Sequence, residues 1–369
     1  MKTKFDVLTI GGAVQDITFY TSDGKLLDNP DKDPTCLKLL AFEYGAKIKI
    51  DEANFSFGGG AQNAAVCFSR LGFKTAALVI IGLDSTGEEI IRNLKINQVN
   101  TKFVQKNKKL GTGFSFVLTD RKTSEHVIFS YRGASSELNV SEFVLKKIFP
   151  KWIYLTSLSG EWEKDVMMGV LKYKEKFDLL LAWNPGVRQL SAGFKKIKAY
   201  LRKTDVLIMN KDEATELVIS GGIKGNEDAK VLIKDLHSMI YQRNYTPPSA
   251  SSRQKGGQAG QALTPLKGGT GINASINKGG VKKSIAVVTE GKKGAYACDG
   301  KKTYYAPIID VKRVDTTGVG DAFGSSFTAG LELYNGDIQK SLELGILNTS
   351  SVVGKVGAEN GLLYRKDVI

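Results

Sequence analysis

Short apolar runs that end in glycine or a polar turn alternate with helix-patterned segments, and this alternation constrains the fold more than any other feature. "FDVLTIGG" gives way to "GAQNAAVCFSRLG", then "KTAALVIIG", then "STGEEIIRNLKINQ". A helix placed between two strands carries the chain back across the sheet, so the second strand runs parallel to the first. The later runs "KWIYLTSL" from Lys151, "LLLAWNPG" from Leu179, "DVLIMNKDE" from Asp205 and "SIAVVTEG" from Ser284 are apolar throughout. Strands buried on both faces have that character. The expectation is an α/β chain with a mostly parallel sheet covered by helices on both faces. Each run passes into a polar or glycine-bearing segment at its carboxyl end, the edge where open α/β sheets bind ligands.

Two regions depart from this pattern. Residues near 18–57, together with 111–133, alternate polar and apolar residues as antiparallel strands do, and are expected to form a small sheet standing over the ligand edge as a lid. Residues 242–280 are glycine-rich and basic, carry no acid, and have too little apolar surface to offset ordering entropy; a flexible insertion is expected there. The rest of 1–369 reads as a single unit.

Composition removes several classes of function. No run reaches the roughly 18 to 20 apolar residues that span a bilayer, and "MKTKFDVLTIGG" reads as a first strand rather than a signal peptide, so a cytoplasmic location and no membrane partner are expected. Cys36, Cys67 and Cys298 are far apart and odd in number, which suits neither a disulfide framework nor a Cys-x-x-Cys metal site. With His126 and His237 the only histidines, a His-rich metal site is excluded and a Ser-His-Asp triad is poorly supplied. The net charge of +14 invites a nucleic-acid reading, but the basic residues are scattered among acids without stacking aromatics. A lysine-rich solvated surface and no nucleic-acid partner are expected.

Four constellations carry chemistry. In "SFGGGAQNAAVCFSRLG", Gly59 allows close backbone approach and Asn63 lies one turn into a helix with an amide able to bridge two hydroxyls. The spacing fits neither a dinucleotide fingerprint nor a P-loop. Upstream, Asp16 follows the first strand's glycine turn; an acid there is more often a helix cap or solvated turn than a substrate ligand. In "MNKDEATEL", Asn210 and Glu213 sit three apart at a helix start, where Glu213 can hold the waters of a hard cation or simply close a capping box. "VVTEGKKGAYACDGKKTYYAP" offers Thr289 and Gly291 as nucleotide contacts, or a plain β-hairpin. In "DTTGVGDAFGSSF", Gly318, Val319 and Gly320 open a helix whose first amides lack internal partners and form an anion site. Asp321 there is either a helix-capping acid or a base for an attacking hydroxyl.

These motifs in this order, "GGGAQN…RLG", "NKDE", "VVTEGKKGAY" and "DTTGVGDAF", resemble the ribokinase-like (PfkB) carbohydrate and nucleoside kinases over nearly the whole chain outside 242–280. The resemblance implies a three-layer α/β/α sandwich with a β-sheet lid and ATP-dependent phosphorylation of a primary hydroxyl of a sugar or sugar-like substrate. A nucleoside is the closest alternative, and aromatics at Phe19, Tyr20 or Phe114 facing the substrate would favour it. By the same resemblance Asp321 is the catalytic base and Gly318 to Gly320 the anion hole. Asp16, Gly59 and Asn63 bind substrate hydroxyls, and Arg132 in "YRGASSEL" lies on the lid side. Asn210, Thr289, Gly291 and Asn348 neighbour ATP. Glu213 organises Mg²⁺ through water, Asp315 and Thr317 match a K⁺ site, and lid sheets pair across a homodimer. Glu290 stands where many relatives have a small or apolar residue, a departure from the pattern. The remaining alternative is a non-catalytic ligand-binding or scaffold protein on the same fold.

Overall fold

The computed structural model describes residues 3–29, 38–122, 126–140, 145, 148–242 and 284–368. The expected insertion at 242–280 therefore lies outside the described residues except for Gln242, as do 30–37 and 123–125 of the expected lid and Cys36.

The main sheet contains β1 (Thr3–Ile10), β6 (Thr75–Leu78), β11 (Ile148–Leu155), β12 (Leu180–Trp183), β13 (Val206–Asn210), β14 (Ile285–Thr289), β15 (Ala295–Cys298) and β16 (Thr303–Ala306). Their spatial order is β16-β15-β14-β13-β12-β11-β1-β6. Every pairing from β14 to β6 is parallel, and only the β14-β15-β16 edge is antiparallel. Short β7 (Ile80–Gly82) and β8 (Gln105–Asn107) pair beside it.

Helices α1 (Gly60–Arg70), α2 (Ser85–Ile96), α8 (Val319–Leu333) and α9 (Ile338–Val353) cover one face. The other carries α3 (Met168–Phe177), α4 (Val187–Leu190), α5 (Phe194–Leu201), α6 (Lys211–Ser220) and α7 (Ala229–Tyr241). Because successive side chains of a strand point to opposite faces, each parallel strand feeds two cores. Leu8, Ile10, Ile153 and Leu155 belong to one, and Val7, Trp152 and Tyr154 to the other. Leu8, Ile10 and Leu155 are fully buried. Truncating any of them to alanine costs about 2–5 kcal/mol through lost transfer energy and the cavity left behind.

A separate four-stranded sheet, ordered β10-β9-β2-β5, consists of β2 (Val14–Thr21), β5 (Glu52–Gly58), β9 (Gly113–Asp120) and β10 (His126–Tyr131). The hairpin β3 (Lys25–Asp28) with β4 (Lys38–Ala41) lies between β2 and β5 in sequence. The expectation of antiparallel pairing fails at the centre of this sheet, where β2 and β9 run parallel. β2 follows β1 through the Gly11–Gly12 turn, and β9 follows β8 through Gly111 and Thr112; β1 and β8 both belong to parallel pairs, and both connections leave at their carboxyl ends.

Candidate active site

Two turns bring the site together. The first leads from β5 into α1, where Gly59 caps the helix and the Ala61 and Gln62 amides donate to the Gly12 carbonyl at 3.2 and 3.3 Å. This binds the start of α1 to the β1–β2 turn and already fills its anion-seeking end. The second turn, Asp315 to Gly318, leads into α8. There the Asp315 carboxylate accepts from Thr317 N at 2.9 Å, Thr317 Oγ1 at 2.8 Å and Gly357 N at 2.8 Å. Ala322 N bonds back to Gly318 O, while the amides of Gly318 and Gly320 have no hydrogen-bond partner among the described residues. The α8 terminus thus keeps two open donors, Gly318 N and Gly320 N, at a positive dipole end, while Val319 N donates to Thr316 O at 3.5 Å.

Asp321 stands in the first turn of α8, and Asn63 Nδ2 donates to its Oδ2 at 2.8 Å. Burial pushes the Asp321 carboxyl up, Asn63 pulls it back and the Asp16 charge raises it again, leaving it at about 6. Oδ1 of Asn63 is buried without a partner, an acceptor free for a ligand hydroxyl. Asp16 is 8% exposed and lies in β2, so it is neither the helix cap nor the solvated turn that its sequence context allowed. Burial raises its carboxyl above the usual range; the Ser115 hydroxyl opposes this, Asp315 adds to it and Arg132 opposes it. A side chain at Gly58 would place a carbon 1.9 Å from Asp16 Oδ2, so the approach of β5 to β2 depends on glycine there.

Asp16, Gly59, Asn63, Asp315, Thr317, Gly318 and Asp321 line one cleft of about 800 Å³. Its roof is one face of the second sheet, contributing Thr18, Tyr20, Ser115, Val117, Thr119 and Ile128. Apart from Tyr20, these residues were not singled out in the sequence, although "GFSFVLTD" alternates Ser115, Val117 and Thr119 with Phe114, Phe116 and Leu118. Of the three aromatics that would have pointed to a base-bearing substrate, only Tyr20 faces the cleft. Phe19 stacks on Phe116 at 5.5 Å, and Phe114 packs edge-on against Phe116. Arg132 is exposed and lies outside the cleft wall.

A second cleft of about 340 Å³ adjoins the first, with Ile308, Ile309, Val311, Val319, Ile346 and Val353 giving it an apolar lining and Gly291 at its rim. Thr349 and Ser350 face it from α9. Asn348, expected to neighbour the nucleotide, does not line it. It is fully buried, its amide donates to Ser326 Oγ at 2.6 Å and to Cys67 Sγ, and its Oδ1 accepts from Leu363 N. It braces α9 against α8, α1 and the C-terminal segment.

Asn210 and Thr289 are register partners at the carboxyl ends of β13 and β14. Asn210 caps α6 in a reciprocal box, accepting from Glu213 N and donating its own N–H to Glu213 Oε2, each at 2.9 Å. Burial raises the Glu213 carboxyl, and the Asn210 amide partly offsets it. Both readings of this pair are therefore compatible, since the box leaves Glu213 Oε1 uncommitted. Glu290 accepts from Lys211 Nζ at 2.6 Å and from Lys293 Nζ at 3.3 Å, so an ion-pair network occupies the site of this departure from the motif.

A carboxyl raised to about 6 thus stands beside open helix-start amides, with the Asp16 carboxylate and the unpartnered Asn63 Oδ1 in the same cleft. Residues 33–244 and 264–363 match the profile described as "pfkB family carbohydrate kinase". The chain belongs to this family. It is 23% identical over 364 residues to an ATP-dependent 6-phosphofructokinase of Thermoanaerobacterium thermosaccharolyticum, covering 96% of this chain and 90% of that protein. Arabidopsis thaliana ribokinase, solved with ribose and ATP, superposes with a TM-score of 0.72 at 17% identity, covering 99% of this chain and 98% of the other. A Burkholderia thailandensis nucleoside kinase solved with inosine gives 0.70 at 14%, covering 98% and 96%. The ribokinase-like fold is thus established. No helix among the described residues is long and apolar enough to cross a membrane.

Proposed function

We propose that the protein transfers the γ-phosphoryl group of ATP to a primary hydroxyl of a sugar or sugar-like acceptor. The observation that carries this reading is Asp321, raised to about 6, set between the open amides of Gly318 and Gly320 and the hydroxyl-binding pair Asp16 and Asn63. The acceptor's hydroxyls bond to the Asp16 carboxylate and Asn63 Oδ1. Asp321 takes the proton of the reacting hydroxyl, whose oxygen attacks the γ-phosphorus as the bond to the β,γ-bridging oxygen breaks and ADP leaves. The amides stabilise the equatorial oxygens in flight. The apolar second cleft suits the adenine, with Thr289 and Gly291 beside the phosphates; Arg132, outside the cleft wall, acts on the acceptor site through its attraction for the Asp16 carboxylate.

No cluster of three metal-ligating carboxylates, histidines or cysteines exists among the described residues. That donor set fits a Mg²⁺ that keeps its waters and is carried by phosphates, with the free oxygen of Glu213 ordering the hydration shell. When bound, the ion neutralises charge on the phosphoryl oxygens. Oδ1 of Asp315 already accepts from Thr317 N and Oγ1, whereas Oδ2 accepts only from Gly357 N; the lone pair left on Oδ2, with the Thr317 carbonyl, would hold K⁺ and thereby fix the anion-hole turn.

The test is ADP release in the presence of pentoses, hexoses, sugar acids and nucleosides, run in K⁺ and in Na⁺. Turnover that depends on a neutral polyol and is faster in K⁺ is expected. Activity with nucleosides alone would move the substrate to that class, with Tyr20 and Ile128 against the base, and no acceptor-dependent release from any of them refutes the reading.

The second sheet would act as a lid, and its outer face supports a homodimer. Phe55 (67% exposed), Phe129 (57%) and Tyr131 (44%) stand on the side turned from the cleft, beside the Phe19–Phe116 stack. A second copy would cover such an apolar patch. Phe55→Glu with Phe129→Glu is expected to yield monomers in sedimentation velocity where the parent chain is dimeric; a monomeric parent chain refutes the dimer.

A further inference from the structure

We propose that Arg313, together with Lys292, grips the phosphate chain of the nucleotide at the neck between the two clefts. Among the described residues, only Lys292, Arg313 and Thr316 line both clefts. A nucleotide whose base occupies the apolar cleft must carry its phosphates past these three residues to reach Asp321. Neither cation has an ion pair or hydrogen bond among the described residues, and both are exposed at the cleft surface.

Lys292 is singled out by what happens around it. Three lysines lie near Glu290, and that carboxylate takes Lys211 at 2.6 Å and Lys293 at 3.3 Å. Lys292 alone remains unpaired, on the short turn between β14 and β15. Arg313 lies two residues before Asp315, whose carboxylate fixes the following turn through Thr317 and Gly357. The guanidinium is thus attached to the loop that presents the open amides.

Charge makes the clamp necessary. Asp16, Asp315 and Asp321 share the floor of the larger cleft; burial is the main cause of the raised carboxyls of Asp16 and Asp321, and the charge of Asp315 on Asp16 and of Asp16 on Asp321 adds to it. A polyphosphate entering that field is opposed at distances within the roughly 8 Å screening length of physiological salt. A guanidinium fork offers paired donors matched to phosphate oxygens, and a lysine supplies a second point charge. The acids then recognise a neutral polyol and the cations a phosphate.

The clamp presupposes the kinase reading, and the experiment separates the two. Arg313→Gln, Lys292→Gln and the charge-preserving Arg313→Lys are compared with the parent chain by calorimetric titration of MgATP and of adenosine. Because both side chains are exposed and unpaired, melting temperatures should be unchanged. Arg313→Gln should weaken MgATP about 10- to 100-fold, the worth of charge-assisted hydrogen bonds, and leave adenosine unchanged. Lys292→Gln should lose less, and Arg313→Lys should recover part of the loss. Equal weakening of ATP and adenosine, or no weakening of either, overturns the clamp while leaving the kinase reading intact. A rise in KM confined to a phosphorylated acceptor such as fructose 6-phosphate also overturns it, by giving the guanidinium to the acceptor. A parent chain that binds no MgATP overturns the kinase reading and the clamp together.

Discussion

Asp321→Asn is expected to lower turnover 10²- to 10⁴-fold while making the protein more stable at neutral pH. The loss of rate follows from removing the group that accepts the hydroxyl proton, the usual worth of a positioned general base. Asparagine keeps the shape and can still accept from Asn63 Nδ2, now 2.8 Å from Oδ2. The defect should therefore fall on kcat rather than on acceptor KM. With its carboxyl at about 6, the parent chain's kcat/KM should climb as pH rises through 6 and level off above it. The variant should lack that inflection. Stability runs the opposite way. The folded-state value of about 6 exceeds the ordinary 3.8, so the folded protein holds the proton more tightly than the unfolded chain does. The stability linked to that proton is full below pH 4 and is lost as pH rises through 6. At pH 7 the ionised, half-buried carboxylate thus costs on the order of 1–3 kcal/mol, which asparagine does not incur. Urea denaturation at pH 4 and pH 7 should show the variant ahead only at pH 7. Turnover within tenfold of the parent, or a variant less stable than the parent at pH 7, would refute Asp321 as a base with a raised carboxyl.

Residues whose role depends on local backbone were legible in the sequence. The parallel strands announce themselves because burial on both faces requires unbroken apolar runs. Asp16 and Asn63 each follow a glycine turn at the carboxyl end of a strand, and Asp321 follows the glycine turn that Asp315 opens. Roles set by long-range packing were hidden. Nothing in "LNTSSVVG" shows that Asn348 ties α9 to α1, α8 and the C-terminal segment through Cys67, Ser326 and Leu363. Lys292 and Arg313 sit on separate loops, and nothing in "EGKKGA" distinguishes the lysine bonded to Glu290 from its free neighbour. The parallel β2–β9 seam was likewise invisible, because alternation reports which face is buried and carries no information on strand direction. The same alternation did hold the answer to which aromatics face the cleft, since Tyr20 shares the parity of Asp16 and Phe19 does not.

Gly318→Ala is expected to remove about 10²- to 10³-fold in kcat, comparable to losing a donor from an oxyanion hole, while leaving acceptor affinity nearly intact. Gly318 has φ 73° and ψ 3°, a left-handed conformation that costs an L-residue about 1 kcal/mol. Sterics add to this, because the new carbon would lie 2.3 Å from Ala358 Cβ and 2.8 Å from Ala358 Cα. Ala358 has little room to retreat. Its neighbour Glu359 is buried, accepts from Asn93 Nδ2 at 2.8 Å and from Gln62 Nε2 at 3.3 Å, and has its carbonyl held by Arg70 at 2.6 Å. The turn itself must therefore move, stretching the Gly357–Asp315 bond and swinging the open amides away from the phosphoryl path. Asp16 and Asn63 belong to other elements and stay in place, which is why acceptor KM should hold. Gly320→Ala supplies the contrast, because no atom lies within 4 Å of its added carbon. Its unfolding free energy should match or slightly exceed that of the parent chain, whereas Gly318→Ala should lose about 1–3 kcal/mol. Measured side by side, steady-state kinetics and denaturation separate the anion hole from mere helix integrity. A Gly318→Ala variant that is destabilised yet turns over within threefold of the parent would show that the amides at the start of α8 do not carry the transferring charge.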